Sequence, residues 1–285
     1  MRNETWVIAQ PRSLRTTIAA NASDGADEAF LAGGGPVTSI VVAINAGSVR
    51  VEAHDRLDVE LDVVQVSERP LAATLTEDTF KVSYDFTGIE GIVDRVKGLR
   101  DKDSAEIVVR VPRSAAVKVS TVHGDVSVQD VTAPVTVSTV DGSVETIDVT
   151  GPVSVSTAAG RVSCTGQVGP VNIRTATGPI HLAGQLSRAD ISTVSGEVSI
   201  QTAPGAGVIT TKTVSSRVAL RVPAEAGVDL RVRSVTGKIA LDGADLRKTT
   251  GQGGRTALVE RAEPGATVFL TANSVSGDVA VSREV

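Results

Sequence analysis

Aromatic side chains are scarce in this chain, and their scarcity limits the kind of core that it can form. Phe, Trp and Tyr make up 2% of the 285 residues, whereas apolar residues as a whole make up 41%. No aromatic residue lies between Thr87 and Val268. Val, Ile, Leu and Ala must therefore fill most of the core, and side chains of that size suit a narrow one. Carbohydrate clefts often use aromatic platforms, which the central region does not offer.

Cysteine and long apolar runs are also lacking. Cys164 is the single cysteine, so the chain cannot form an intramolecular disulfide. That fits a reducing compartment, or a fold that needs no covalent bridge. The N-terminus has no apolar stretch of signal-peptide length, and no later run approaches the length of a membrane span. We therefore expect a cytoplasmic protein with no direct membrane span.

Charge and motifs exclude several functional classes. The formal net charge is −5 at pH 7, whereas a nucleic-acid-binding protein carries a basic patch, so we expect no nucleic-acid partner. The chain has no nucleophile elbow, no phosphate-binding loop and no calcium nonapeptide. His54 and His181 have no partner at metal-ligand spacing. We therefore expect no catalytic residue, no metal and no cofactor.

An internal repeat is the main feature that is present. The phrase VSTVDGSV at residues 137–144 returns as VSTVHGDV, VSTAAGRV and ISTVSGEV. Its glycine recurs every 18 residues from Gly124 to Gly196, after which the spacing stretches. Ser216 replaces the glycine in one later unit, and Gly237 and Gly277 close the next two. A fixed period of this kind is typical of repeat architectures.

Each repeat unit reads as strand, turn, strand, loop. In VTVSTVDGSVET, β-branched residues alternate with a period of two on both sides of Asp141-Gly142. Two architectures fit such units, an antiparallel meander and a parallel β-solenoid. The constant period, the near-identical inward residues and the lack of aromatics favour the second. We predict an all-β fold, a single-stranded parallel β-solenoid or β-helix of roughly 18-residue coils, with an irregular N-terminal β cap.

The regular pattern does not cover the whole chain. Residues 1–37 are predicted to form an N-terminal strand and a flexible loop, the loop lying over the Ala/Gly/Asp-rich residues 21–35. Residues 38–116 are predicted to form the irregular N-terminal β portion, in which residues 87–104 form a short helix or an excursion. The regular solenoid is expected over residues 117–285, with an insertion at about 243–266 that contains GQGG.

The repeated phrase itself is interpreted as structural. Its glycines are predicted to form tight turns, where glycine supplies a positive φ: Gly124, Gly142, Gly160, Gly178, Gly196, Gly237 and Gly277. Its threonines are predicted to form an inward column whose hydroxyls bond along the column or to turn backbone: Thr121, Thr139, Thr157, Thr175 and Thr193. A His123/Asp125/Asp141 cluster is conceivable at one corner, but solvated turn residues explain it better.

A family resemblance rests on residues 109–128, VRVPRSAAVKVSTVHGDVSV. A strand ending in Val-Pro leads into a first S-T-V-x-G-D-V, and many (S/T)-x-x-G-x-(V/I)-x-(V/I) units follow. The chain resembles the bacterial putative-adhesin family of unknown function over about residues 38–281. The resemblance implies a parallel β-solenoid, and for some members a surface or envelope role. It supplies no catalytic residues.

These observations favour a non-enzymatic β-solenoid that acts as a scaffold or protein-interaction module and can self-associate through one end. An envelope-associated adhesin or stress-response module is the first alternative. A carbohydrate-active β-helix enzyme is the second, and it would need Asp carboxylates and a basic residue on one face of neighbouring coils.

Overall fold

The computed structural model describes residues 3–17, 29–32, 36–84, 103–246 and 257–284. Most of the predicted loop at 21–35 and of the predicted excursion at 87–104 lies outside the described residues, as does GQGG at 251–254. One part of the predicted loop, Ala29–Ala32, is a strand. Ala, Gly and Asp residues surround this short apolar run, so the composition of the whole segment predicts a loop. The strand pairs in parallel with Arg12–Thr17.

The described residues form strands and no helix, which confirms the all-β class. Side chains alternate with the predicted period of two: Val135 and Val137 are buried, whereas Thr136 and Ser138 are half-buried. The chain divides into two compact units, Met1–Ser143 and Val144–Val285. Within the described ranges, no helix is long and apolar enough to cross a membrane.

The described residues of unit 1 form twelve strands, which are numbered in chain order. They are β1 (Asn3–Ile8), β2 (Arg12–Thr17), β3 (Ala29–Ala32), β4 (Ser39–Ala43), β5 (Ala46–His54), β6 (Val59–Val66), β7 (Leu71–Thr76), β8 (Thr79–Tyr84), β9 (Ser104–Pro112), β10 (Ala116–Ser120), β11 (His123–Gln129) and β12 (Val135–Ser138).

The strands of unit 1 form two ladders. In the first, β12, β10, β4 and β8 pair in parallel, and β7 and β1 continue the ladder in antiparallel fashion. In the second, β11, β5 and β9 are parallel, β6 and β2 follow antiparallel, and β3 pairs with β2. The β4–β5 segment thus lies between β8–β9 and β10–β11, although it precedes both in the sequence.

Thirteen strands lie in the part of unit 2 that the structure describes. They are β13 (Val144–Ile147), β14 (Val153–Ser156), β15 (Val162–Arg174), β16 (Ile180–Thr193), β17 (Glu197–Thr202), β18 (Gly207–Thr213), β19 (Arg217–Val222), β20 (Gly227–Ser234), β21 (Ile239–Leu241), β22 (Ala244–Asp245), β23 (Ala257–Ala262), β24 (Ala266–Ser274) and β25 (Val279–Arg283).

Parallel pairs in unit 2 join residues 18 positions apart. Val144 lies opposite Val162, Val162 opposite Ile180, and Ile180 opposite Val198. The order then departs from the sequence, because β24 lies between β18 and β20, and β25 lies between β19 and β21. The antiparallel strands β22 and β23, which flank the undescribed part of the predicted insertion, pair with β21 and β20.

The cores of the two units differ in the way that the composition predicts. Phe80 and Tyr84 are buried in unit 1, together with Val, Leu and Ile. In unit 2 the buried apolar residues are aliphatic apart from Cys164, and its single aromatic, Phe269, is 43% exposed. Each fully buried Val, Leu or Ile contributes about 1.5–3 kcal/mol, so the long inward columns account for much of the stability.

Candidate functional site

The repeated threonines sit at the turns, and their hydroxyls are satisfied locally. In unit 1, Thr121 donates to the hydroxyl of Thr139 over 2.9 Å, and Thr139 donates to the carbonyl oxygen of Asp141 over 3.1 Å. Both residues are at least 93% buried. A buried hydroxyl without a partner costs about 1–3 kcal/mol, so these bonds make an inward threonine tolerable.

The same contact recurs in unit 2. Thr157, Thr175 and Thr193 each donate to the carbonyl oxygen two residues further on, over 2.7, 3.0 and 3.1 Å. Two later units use serine instead: Ser234 accepts from the backbone N–H of Gly237, and Ser274 from that of Gly277. These threonines and serines are therefore turn-capping groups, whereas the buried hydroxyls of Thr213 and Ser216, in the repeat unit between them, have no hydrogen-bond partner among the described residues.

The predicted turn glycines fall into two groups. Gly142, Gly160, Gly178 and Gly196 have φ between +118° and +137°, whereas Gly124, Gly237 and Gly277 lie outside the left-handed region. The two groups share close approach to a neighbouring strand. A Cβ added to Gly142 would overlap the carbonyl oxygen of Gly124, and one added to Gly277 would overlap that of Ser216. Close approach between strands thus favours glycine in this column even where the turn does not demand it, although Ser216 occupies the equivalent position in one repeat.

The polar corner of unit 1 brings together two of its three candidate residues. His123 and Asp141 lie opposite each other in parallel register, and His123 Nδ1 is 4.0 Å from Asp141 Oδ2. Both side chains are more than half exposed. Asp125 instead accepts the backbone N–H of Ser143 over 2.7 Å. In the described part of the chain, no group of three or more His, Cys, Asp and Glu residues is placed to hold a metal ion.

Cys164 is a core residue. Its side chain is fully buried on β15, and burial raises the pKa of its thiol to about 11. A reactive cysteine needs an accessible thiolate. The geometry therefore agrees with the interpretation of Cys164 as a small apolar residue that fills space in the core.

Three arginines of unit 1 and the carboxylates beside them compensate one another's charge. Arg15 Nε lies 2.7 Å from Asp58 and Arg110 Nη1 lies 2.6 Å from Asp62, while Arg56 contacts both Asp58 and Glu60. This network ties β2, β6 and β9 together. It leaves little net charge for a ligand.

Unit 2 presents a different surface, which we call the basic stripe. Arg174, Ser192, Lys212, Asn273 and Arg233 lie opposite one another in register on five adjacent strands, β15, β16, β18, β24 and β20. Arg174, Lys212, Asn273 and Arg233 are exposed, and Ser192 is half-exposed. Adjacent strands are about 4.8 Å apart. The three cations therefore recur at about twice that spacing, with an uncharged polar residue between each pair.

No described carboxylate lies within ion-pair distance of Arg174, Lys212 or Arg233. The two arginines nearby on the same ladder are paired, Arg188 with Asp190 and Arg231 with Glu260. Residues 144–285 contain 14 Lys and Arg against 12 Asp and Glu, whereas residues 1–143 contain 14 against 21. The stripe is thus an uncompensated positive surface in a chain of net negative charge.

Two grooves adjoin the stripe and share Lys212. The larger, of about 530 Å³, lies along Lys212, Asn273 and Arg233 on one side and Val214, Val275 and Val235 on the other. The smaller, of about 240 Å³, includes Arg174, Ser192 and Lys212. Val214 and Val275 are 45% and 49% exposed, because each directly follows an inward residue, Thr213 or Ser274. A charged column and an apolar column therefore run side by side.

Sequence reasoning missed the basic stripe for a topological reason. Arg174 stands out as the residue that breaks an outward serine column, which is the one signal the 18-residue period offers. Lys212 follows the stretched spacing, and Asn273 and Arg233 occur in the reverse of their order in the stack. The column becomes visible only once β24 is placed between β18 and β20.

A family model described as Toastrack DUF4097 matches residues 37–282. The chain belongs to the Toastrack DUF4097 family. This match confirms the resemblance to the putative-adhesin family of unknown function, which was based on the S-T-V-x-G units. It covers residues 37–143 of unit 1 and residues 144–282 of unit 2.

Two solved structures are similar to this Toastrack chain. One, a putative adhesin from Bacteroides fragilis, is 10% identical with a TM-score of 0.47, and the match covers 99% of this chain and 97% of that one. The other, a putative cell adhesion protein from Clostridium sporogenes, is 6% identical with a TM-score of 0.25, covering 96% and 100%. No curated protein matches.

Proposed function

We propose that the chain is a parallel β-solenoid of roughly 18-residue coils that works as a non-enzymatic interaction scaffold, with the basic stripe as its binding face. The solenoid part is supported by the repeated register of Val144, Val162, Ile180 and Val198. Stacked coils hold outward residues at fixed spacing, so a ligand meets a surface whose backbone needs no ordering when it binds.

The observation that carries the binding role is the register of Arg174, Lys212 and Arg233, which have no carboxylate partner among the described residues. Guanidinium and ammonium groups are positively charged hydrogen-bond donors, and the amide and hydroxyl between them both donate and accept hydrogen bonds. Such a set is suited to holding an anion, and it contains no carboxylate or imidazole for general acid–base catalysis. The stripe therefore favours a binding module over a hydrolase.

Retention on a carboxylate ion-exchange resin tests this binding role. At pH 7 a chain of formal charge −5 should pass through such a resin unless a local basic surface holds it. We expect the native protein to be retained at low ionic strength and the triple variant Arg174→Ala/Lys212→Ala/Arg233→Ala to pass through.

A matched control removes the same charge elsewhere in unit 2. The variant Arg217→Ala/Arg221→Ala/Lys238→Ala loses three exposed cations that lie outside the stripe. We expect it to be retained like the native protein. Equal elution of the two triple variants would contradict the assignment of the stripe as the binding face.

Self-association through one end and a cytoplasmic location are further parts of the proposal. Sedimentation velocity at high protein concentration addresses the first, and fractionation of native cells separates the second from an envelope-associated role.

A further inference from the structure

We propose that the basic stripe binds an acidic peptide segment in the polyproline II conformation, running along the stack with a carboxylate at every third residue. This inference rests on the proposed function, since it names the partner class of the same binding face.

The spacing of the cations selects the peptide conformation. Arg174, Lys212 and Arg233 are two strands apart from one another, which places their backbones about 9.6 Å apart. Polyproline II advances about 3.1 Å per residue with three residues per turn, so every third side chain returns to the same side after about 9.3 Å. In a β-strand every second side chain does so after about 6.7 Å, which does not match.

The neutral residues of the stripe suit the same conformation. Ser192 and Asn273 alternate with the cations, and both can donate and accept hydrogen bonds. A polyproline II chain has no internal hydrogen bonds, so its backbone carbonyls are free to accept from these side chains. An α-helix satisfies its backbone internally and would leave Ser192 and Asn273 without a peptide partner.

The apolar column beside the stripe offers contacts for the peptide residues that lie between the carboxylates. Val194, Val214 and Val275 are 45–51% exposed, and Val235 continues the column along the larger groove. Aliphatic side chains of a peptide can cover these valines. The described lining of the two grooves contains no aromatic residue, whereas single-stranded nucleic acid is usually held by stacking on aromatic side chains. The combination therefore favours an acidic peptide with apolar residues over a nucleic acid.

Fluorescence anisotropy with a labelled peptide of four Glu-Val-Pro repeats tests the proposal. A second peptide of the same composition, with its glutamates in one block, serves as the spacing control. We expect the periodic peptide to bind more tightly than the block peptide, and its affinity to fall as the salt concentration rises from about 0.05 M to about 0.5 M.

The protein variants test whether the stripe is the site. Exposed ion pairs contribute roughly two- to fivefold each, so Arg174→Ala/Lys212→Ala/Arg233→Ala should weaken binding of the periodic peptide by about tenfold or more. The control Arg217→Ala/Arg221→Ala/Lys238→Ala should bind it like the native protein. Replacing Val214 and Val275 by Ser should weaken binding without changing its salt dependence.

Each other outcome overturns the inference. Equal binding of the periodic and block peptides would remove the role of spacing. Polygalacturonate or oligothymidylate binding as tightly as the periodic peptide, with the same loss in the stripe variant, would replace the peptide by a generic polyanion. If the native protein is retained on the carboxylate resin but neither peptide binds, the proposed function survives and the peptide assignment fails.

Discussion

At the scale of the residue, Gly142 shows two separate requirements for glycine at one position. Its φ is +137°, and a Cβ would also overlap the carbonyl oxygen of Gly124 on the neighbouring strand. The conformational cost for an L-residue is about 1–2 kcal/mol, and overpacking adds about 1–3 kcal/mol. We expect Gly142→Ala to lower the free energy of unfolding by about 3 kcal/mol, measured by urea denaturation.

Gly243 allows the conformational cost of a side chain to be measured apart from the cost of overpacking. Its φ is +80°, but nothing lies within 4 Å of the position that a Cβ would take. Gly243→Ala should therefore pay only the conformational cost, about 1 kcal/mol. If the two alanine variants prove equally destabilised, close approach between strands is not what selects glycine in the stack.

At the scale of the element, ion pairs hold strand β2 against β6. Asp58 is bonded by Arg15 over 2.7 Å and by Arg56 over 3.0 Å. Burial alone would raise the pKa of Asp58, but the hydrogen bond from Arg15 and the charges of Arg56 and Arg15 outweigh it, so the pKa lies below its ordinary value. The folded state thus favours the carboxylate more than the unfolded state does.

The sign of the pH dependence follows from that shift. The contribution of Asp58 is complete above the unfolded pKa of about 3.9 and is lost as the pH falls through the lower folded pKa. We expect Asp58→Asn to lower the melting temperature at pH 7, and the difference from the native protein to shrink below about pH 4. The exposed Glu145→Gln removes a carboxylate that lies outside this ion-pair network and serves as the control. A constant Asp58→Asn difference down to the lowest pH would show that its carboxylate charge does not stabilise β2.

Also at the element scale, the sequence predicts the strands themselves, which depend on local pattern. It does not predict the order of the strands in the ladders, which depends on long-range pairing. Alternating β-branched residues mark β12 and its relatives correctly, because period two is a local property. The step of 18 residues likewise aligns Val144, Val162 and Ile180. The positions of β4 and β24 between strands that are distant in sequence follow from long-range pairing, which no period encodes. The basic stripe depends on the second of these insertions.

At the scale of the whole molecule, units 1 and 2 share one topological feature, the insertion of two strands between strands that are distant in sequence. In unit 1, β4 and β5 insert between strands that follow them in the chain, and in unit 2, β24 and β25 insert between strands that precede them. Antiparallel strands continue the ladders beyond, β6 and β7 in unit 1 and β22 and β23 in unit 2. A repeat array needs atypical terminal units, since exposed strand edges pair with other chains. Insertion therefore ties each terminal segment to two neighbours.

In unit 2, the proposed solenoid predicts that one 18-residue coil can be removed as a whole. Deleting residues 162–179 joins Arg161 to Ile180, which already occupies the register position of Val162 one step further on. Because each coil contacts mainly its neighbours, we expect this variant to melt cooperatively, with a modestly lower melting temperature and unchanged far-ultraviolet circular dichroism per residue.

The control deletes residues 162–170, which is half of one 18-residue step. It keeps the alternation of buried and exposed side chains, because Val171 replaces Val162. That variant should lose its cooperative melt, since its later strands can no longer reach their parallel partners. Equal tolerance of both deletions would indicate that pairing does not follow the 18-residue step.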